Sequence, residues 1–318
     1  MSNTLNLAQV GVLALLSLSS AAWSDELPPR SDERPQWAFD LRAMRFSDSH
    51  TSYEFGNPEP PLQVPLSRLE FPMGGWWFGG ELRRSFGRYA LAAEYLQARR
   101  GNTHAPFKDS DWTGDFFPPD VLDVYSEAQN RVERSSMARI EAEVQVGDVL
   151  GLPDRMTLSP VVGVRWQDLN FVAHDGLQVY PASGRTIPAD PYPGNAIAFR
   201  QRYTQYFVGL KSSYALPFAT LSGQLDWAYV DAANKDHHLL RGARYTYEAT
   251  QGDAVHFSLG LQRELARNVI AGIRADHMRI RTTGTHRWVD SGADETWSHG
   301  VRVWSAQTSV SVDLEFLL

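Results

Sequence analysis

The sequence predicts an all-β protein: a ten-stranded antiparallel transmembrane β-barrel over residues 37–318. Three observations lead there. Apolar and polar residues alternate with period two along most of the chain, which is the period of a strand whose successive side chains face opposite ways. Several alternating segments run beyond about ten residues, the length a tilted strand needs to cross a bilayer, where an ordinary sheet strand has roughly six. Short and long connections also alternate, as periplasmic turns and extracellular loops do in an outer-membrane barrel.

The elements follow in chain order. Residues 1–24 read as an export signal, with an apolar run at 10–16, small residues at 17–22 and Ala22-Trp23-Ser24 before Asp25 as a cleavage site; no Lys or Arg precedes the apolar run. Residues 25–36 are polar and Pro-rich, a flexible periplasmic lead-in. Strand-like segments are then expected at about 37–56, 64–84, 89–101, 131–149, 156–174, 197–215, 218–232, 243–264, 269–284 and 297–318. The last is the clearest: Trp304, Ala306, Thr308, Val310, Val312, Leu314, Phe316 and Leu318 alternate with Ser305, Gln307, Ser309, Ser311, Asp313 and Glu315. Long loops are expected at about 57–63, 102–130, 175–196, 233–242 and 285–296, all on the outer side. An even strand count returns both ends of the barrel to the periplasmic side.

Composition excludes several classes. The chain has 318 residues, no cysteine and a net charge of −7. Without cysteine there is no disulfide framework and no thiolate metal site. The mild acidity argues against general nucleic-acid affinity, which needs a basic stripe. The nine histidines show no HExxH or other compact ligand spacing, so no metal site is expected, and no phosphate-binding glycine loop or GxSxG nucleophile motif is present.

Two short stretches carry candidate chemistry. Asp109 and Asp111 are two apart in the second long loop, and Asp236 and His238 are two apart in the fourth. In an extended chain each pair shares a face. On the seventh segment Ser222, Gln224 and Asp226 form the polar row; continued without a bulge, that row carries Asp236 and His238 into the lumen and leaves His237 facing away. A carboxylate beside an imidazole, opposite two further carboxylates, can hold and deprotonate a water. The second loop also carries Asp115, Asp120, Asp123 and Glu127, which either steer cationic peptides or solubilise the loop.

Taken together, these residues resemble the omptins, ten-stranded outer-membrane proteases of Gram-negative bacteria. Lys108-Asp109-Ser110-Asp111-Trp112 resembles the family's Asp-x-Asp-Trp stretch, and Asp236-His237-His238 its Asp-x-His stretch. Residues 197–210 look like its sixth strand, and Ser67-Arg68-Leu69-Glu70-Phe71 resembles the start of its second. The resemblance implies an endopeptidase that hydrolyses surface-accessible peptides or proteins, with Asp236 and His238 as a dyad and Asp109 and Asp111 as the facing couple. It implies no metal or organic cofactor, and lipopolysaccharide as a partner required for activity. Rival readings are a non-enzymatic barrel (adhesin, receptor or structural protein) and a barrel that hydrolyses lipid.

The resemblance also locates differences. The family's acidic pocket for a basic side chain uses an acid two residues before the dyad aspartate, where this chain has Asn234, and a first-strand glutamate, matched by Glu54 or, with another gap, His50. Asn234 and Glu54 are the expected substrate-binding positions, and the cleavage preference stays open. Asp168 stands where the family has an arginine. Arg200 and Arg202 share their parity with Val208 and Leu210, hence an outward face near the outer rim suited to lipopolysaccharide phosphates.

Overall fold

The computed structural model describes residues 37–57, 63–114, 117–184 and 186–318. The expected export signal (1–24) and lead-in (25–36) lie outside the described residues, as does Asp115. Fourteen strand segments form one antiparallel sheet: β1 (Trp37–Asn57), β2 (Gln63–Pro72), β3 (Gly75–Phe86), β4 (Tyr89–Ala98), β5 (Gly101–Asn102), β6 (Phe107–Asp111), β7 (Val124–Val132), β8 (Ser136–Val144), β9 (Met156–Val179), β10 (Asp190–Ala215), β11 (Thr220–His238), β12 (Arg244–Ala266), β13 (Val269–Asp290) and β14 (Ala293–Leu317). The sheet closes on itself where β14 pairs with β1. Closure leaves no free edge, which is why an all-β chain can cross a membrane at all.

The fourteen segments and the ten expected strands describe the same ring. The lower half of β1 pairs with β3 and its upper half with β2; the lower half of β9 pairs with β8 and its upper half with β7. Thus β2 runs on into β3 across Met73-Gly74, β7 into β8, and β4 through β5 into β6. Where the sequence reading expects loops, the sheet continues. β6 and β7 occupy much of 102–130, β9 and β10 extend to Val179 and from Asp190, β11 reaches His238, and only Ser291-Gly292 separates β13 from β14. Each added rung pairs backbone groups that an open loop would leave to water.

The apolar face points outward. On β11, Leu221, Leu225, Trp227 and Tyr229 are exposed while Gln224 and Asp226 are buried. From Leu221 to Tyr229 the strand covers about 27 Å at roughly 3.4 Å per residue, close to the height of a barrel's lipid-facing band. Past Tyr229 the outward residues are Asp231, Ala233, Lys235 and His237, none of them lipid-like apart from one alanine. The upper part of the barrel therefore stands clear of the bilayer.

Inside, the barrel has two storeys. The lower lumen is charged: Arg42 sits among Glu94, Asp40 and Asp313, and Arg139 meets Glu81 at 3.0 Å. Above it lies an aromatic deck. Phe199 stacks on Phe71 at 4.2 Å and on Tyr53 at 5.4 Å, and Phe71 packs on Phe107 at 4.7 Å. All four side chains are at most 2% exposed. Burying each contributes about 1.5–3 kcal/mol, and the deck forms an apolar floor beneath the outer cleft.

One backbone irregularity decides what reaches that cleft. β1 bulges at Asp48, whose φ is 46°, and its pairing with β14 skips a residue between Ser47 and His50. An extra residue reverses the parity of everything beyond it. Below the bulge the even positions Asp40, Arg42, Met44 and Phe46 face in; above it the odd positions Thr51, Tyr53 and Phe55 do. Ser49 Oγ braces the kink, donating to a main-chain carbonyl at 2.9 Å and accepting from the Thr308 N–H at 2.8 Å.

Candidate active site

Asp236 and His238 end β11. The strand pairs without a break with β10 and β12 up to His238, so the inward row that contains Asp226 does carry both side chains to the rim. They lie on strand rather than in a loop, and His238 immediately precedes a 3-10 turn, Leu239–Arg241. His237 faces away, stacked on Tyr245 at 4.1 Å with Nε2 2.9 Å from the Gly242 carbonyl.

Asp109 and Asp111 come from β6, which the sequence reading treats as loop. Leu69 pairs with Asp109 and Ser67 with Asp111, so the couple is mounted on β2. Ser67 hydrogen-bonds to both carboxylates, a role the motif matching overlooked. Burial, then the neighbouring Asp111, then Asp236 hold the Asp109 carboxyl well above the usual range. Asp111 is also raised, mainly by burial, against the pull of Ser67 and Arg241. Two carboxyl groups so placed hold one proton between them more readily than two negative charges. Asp236 and Asp109 thus act on one another from opposite sides of the rim.

The dyad itself is open. His238 Nε2 lies 3.8 Å from Asp236 Oδ2, beyond hydrogen-bond reach. The same Oδ2 accepts a hydrogen bond from the Tyr53 hydroxyl at 2.5 Å. Catalytic hydrogen bonds are often long before substrate arrives. Burial pushes Asp236 up to about 8, against the lowering effect of the Tyr53 bond. His238 is pushed down to about 3 by burial and by Arg244 and Arg241, so its imidazole is neutral at physiological pH with a lone pair available to take a proton.

The substrate-binding expectations divide. Asn234 lies on the inward row of β11, two residues below Asp236, and is buried. Glu54 does not reach the cleft, which corrects the expectation. The Asp48 bulge turns it outward, where Arg68 and Arg302 hold it at 2.8 and 2.7 Å, and Tyr53 takes the inward position. His50 shares the parity of Glu54. Asp123 is a brace rather than a steering charge: fully buried, it accepts from the Thr113 N–H at 3.0 Å and hydroxyl at 2.7 Å. Arg200 and Arg202 do face outward. Arg200 already grips Asp168 through two hydrogen bonds of 2.9 and 2.5 Å. Among the described residues no cluster suited to a metal ion is present.

Fold and cleft define a class: an outer-membrane β-barrel that carries a cluster of acids and a histidine on the inner face of its outer rim. The family assignment agrees. Residues 91–283 match the model of the Omptin family, and the chain belongs to that family. It is an outer-membrane protease of the Gram-negative type, with its active end facing outside. Among solved structures it is similar to the outer membrane protease OmpT from Escherichia coli, at TM-score 0.78 and 14% identity, over 93% of this chain and 100% of that one; at this identity the likeness bears on the fold. Two other barrels match loosely. The translocator domain of the autotransporter NalP from Neisseria meningitidis has TM-score 0.37 at 10% identity over 98% and 96% of the two chains. The Pseudomonas putida toluene transporter TodX has TM-score 0.32 at 8% identity over 91% of each. No curated protein matches the sequence.

Proposed function

We propose that the protein is an endopeptidase that cleaves surface-accessible peptides or proteins with a water activated between the Asp236–His238 dyad and the Asp109–Asp111 couple. The observation that carries this reading is the convergence of two strand ends: the four side chains share the inward face of one rim, above a buried aromatic floor, and Asp236 perturbs Asp109.

The chemistry follows from the groups. Water attacks the peptide carbonyl carbon and gives its proton to neutral His238. Asp236, once ionised, orients the ring and stabilises the imidazolium. The proton held by Asp109 and Asp111 supports the oxyanion, and His238 returns its proton to the leaving amine. Each acid–base role is worth about 10²–10⁴-fold. Substrate entering between the couple and the dyad displaces solvent and strengthens these interactions. In this reading lipopolysaccharide is the required partner, bound by outward arginines of which Arg202 is one, and no metal or organic cofactor takes part.

The test is direct. Protein refolded with lipopolysaccharide is exposed to a mixed peptide library, and the products are read by mass spectrometry. Wild type cuts peptides that Asp236→Ala and His238→Ala leave whole. If the three proteins give the same products, the endopeptidase reading fails and the non-enzymatic barrel replaces it.

A further inference from the structure

We infer that Tyr192 is a further catalytic residue of the endopeptidase: its hydroxyl donates a hydrogen bond to the oxyanion that forms when water attacks the scissile carbonyl. This role rests on the peptidase reading for its reaction, while the placement of the hydroxyl comes from the fold of β9 and β10.

Between the couple on β6 and the dyad on β11, the short way round the upper ring passes through β7, β9 and β10. One rung crosses this wall. Phe107 on β6 pairs with Ala128 on β7, Ala128 with Gly176 on β9, and Gly176 with Tyr192 on β10. The next rung up sets Asp109 opposite Ser126. Phe107, Ala128 and Ser126 are buried, so both rungs face in. Tyr192 faces in with them because β9 steps out of register. Asp175, with φ 50°, is skipped between the Gln129–His174 and Ala128–Gly176 pairs. An extra residue reverses parity: below the step Leu169, Phe171 and Ala173 face in, and above it Gly176 does. The Gly194 N–H, on a residue with φ 79°, donates to Asp175 Oδ1 at 2.7 Å and pins the step from the β10 side. Between Phe107 and Tyr192 the rung carries only an alanine and a glycine. A Cβ at Gly176 would stand 2.2 Å from Tyr192 Cζ and 2.3 Å from its hydroxyl oxygen, so the tip of the phenol rests on bare backbone.

The hydroxyl so placed is a donor beside the couple. Among the described residues its hydrogen-bond partner is the Ser126 hydroxyl, and it is near enough to Asp109 to feel that carboxyl. Ser126 and Asp109 are themselves side by side, since opposed residues of an antiparallel pair have Cβ atoms about 4.5–5.5 Å apart. Burial, then Asp109, push the phenol up to about 12, so it keeps its proton at working pH. Either hydroxyl can give the bond between them; when Ser126 gives it, the phenolic proton is uncommitted. Tyr53 differs, because its proton is already given to Asp236. In the attack step the water oxygen bonds to the carbonyl carbon, its proton passes to His238, and the carbonyl π electrons move onto the oxygen. Tyr192 meets that charge with a hydrogen bond and keeps its own proton. A donor fixed beforehand by the fold needs no reorganisation as charge develops.

The experiment separates an oxyanion donor from a packing ring. Tyr192→Phe keeps the ring and removes the hydroxyl; Gly176→Ala keeps the hydroxyl and displaces it. Both are assayed in detergent with lipopolysaccharide on one peptide that wild type cuts and Asp236→Ala does not. Each is expected to lower kcat by about 10²-fold, the loss typical of one oxyanion donor, with KM within about threefold and the pH profile unmoved. A peptide phosphinate, whose tetrahedral anionic group imitates the intermediate, should bind Tyr192→Phe at least about tenfold more weakly than wild type. The uncut peptide should bind Asp236→Ala protein equally well with and without Tyr192→Phe, read by calorimetry. Circular dichroism checks folding, and if Gly176→Ala does not fold, Tyr192→Phe decides alone. A kcat for Tyr192→Phe within about threefold of wild type, or equal weakening of peptide and phosphinate, overturns the role of Tyr192 and leaves the peptidase reading standing. A shifted pH profile overturns it too, since Tyr192 then acts through the couple and not on the substrate. Wild type that cuts no peptide overturns the peptidase reading, and the role of Tyr192 falls with it.

Discussion

Tyr53 donates its hydroxyl proton to Asp236 Oδ2 at 2.5 Å, across 183 residues of sequence, and so occupies the oxygen from which His238 Nε2 stands 3.8 Å away. The bond favours the ionised form of Asp236. In the proposed mechanism the dyad works with Asp236 ionised, so activity climbs as pH passes through about 8. Tyr53→Phe removes the bond. The ascending limb of kcat/KM against pH should then move upward by about one unit, the equivalent of about 1.4 kcal/mol and close to the low end for a hydrogen bond to a charged group. An unmoved limb would show that Tyr53 is a packing residue only.

Asp109 and Asp111 share a serine and a field, so they should fail as a unit. Asp109→Asn and Asp111→Asn are each expected to lower kcat by about 10²–10⁴-fold, and the double variant should fall within about tenfold of the worse single one, as groups that act together are non-additive. Single-turnover rates on one peptide measure all three. Losses that multiply would mean two independent roles.

How much of this was legible in the sequence depends on the physics involved. Strand alternation is local, and it gave the barrel, its outward face and the lumen row that ends in Asp236 and His238. The ladder within 102–130 is hidden because it forms with residues distant in sequence, as Asp109 does on Leu69; at 233–242 the β11–β12 hairpin simply runs on to His238 and Arg244 without apolar alternation to mark it. Glu54 faces out, against the parity its sequence position implies, because a one-residue bulge at Asp48 leaves no mark in composition yet reverses every side chain beyond it. A count of parity from Phe46 would have needed that bulge to put Tyr53, not Glu54, inside.

Asp236 also ties stability to pH. Its carboxyl sits near 8 in the folded protein against an ordinary 3.8, so the fold keeps a proton that the unfolded chain has released. Stability from this group is fully present below about pH 4 and is lost as pH rises through about 8. Asp236→Asn, which cannot ionise, should therefore gain on wild type as pH rises. Urea unfolding in micelles is expected to show a larger midpoint advantage for the variant at pH 9 than at pH 4; an advantage that shrinks with pH would contradict the sign.

Glu54 is predicted to matter for the rim and not for the reaction. Its carboxylate is held by Arg68 and Arg302, both on the outer face. Glu54→Gln should cost about 1–2 kcal/mol of stability, the low end for hydrogen bonds to charged groups because both arginines are partly exposed, while kcat/KM on any peptide stays within about twofold. A selective loss against peptides with basic residues would return Glu54 to the substrate pocket.

Arg200 and Arg202 both face outward on β10, two residues apart, but are not equivalent. Arg200 is forked onto Asp168, and such a bidentate pair leaves few donors for another anion. Arg202 has no ion pair of its own among the described residues and pairs across the ladder with the same Asp168. A phosphate group at this rim therefore meets Arg202 first. Arg202→Ala should raise the lipopolysaccharide concentration for half-maximal activity by about tenfold, whereas Arg200→Ala changes it little. Asp168→Asn releases Arg200 and should lower that concentration, moving the protein towards the arginine-rich pattern from which position 168 departs. Titration of refolded protein with lipopolysaccharide, read as the cleavage rate of one peptide, ranks the three variants. If Arg200→Ala proves as damaging as Arg202→Ala, the fork with Asp168 opens on binding and both arginines serve the lipid.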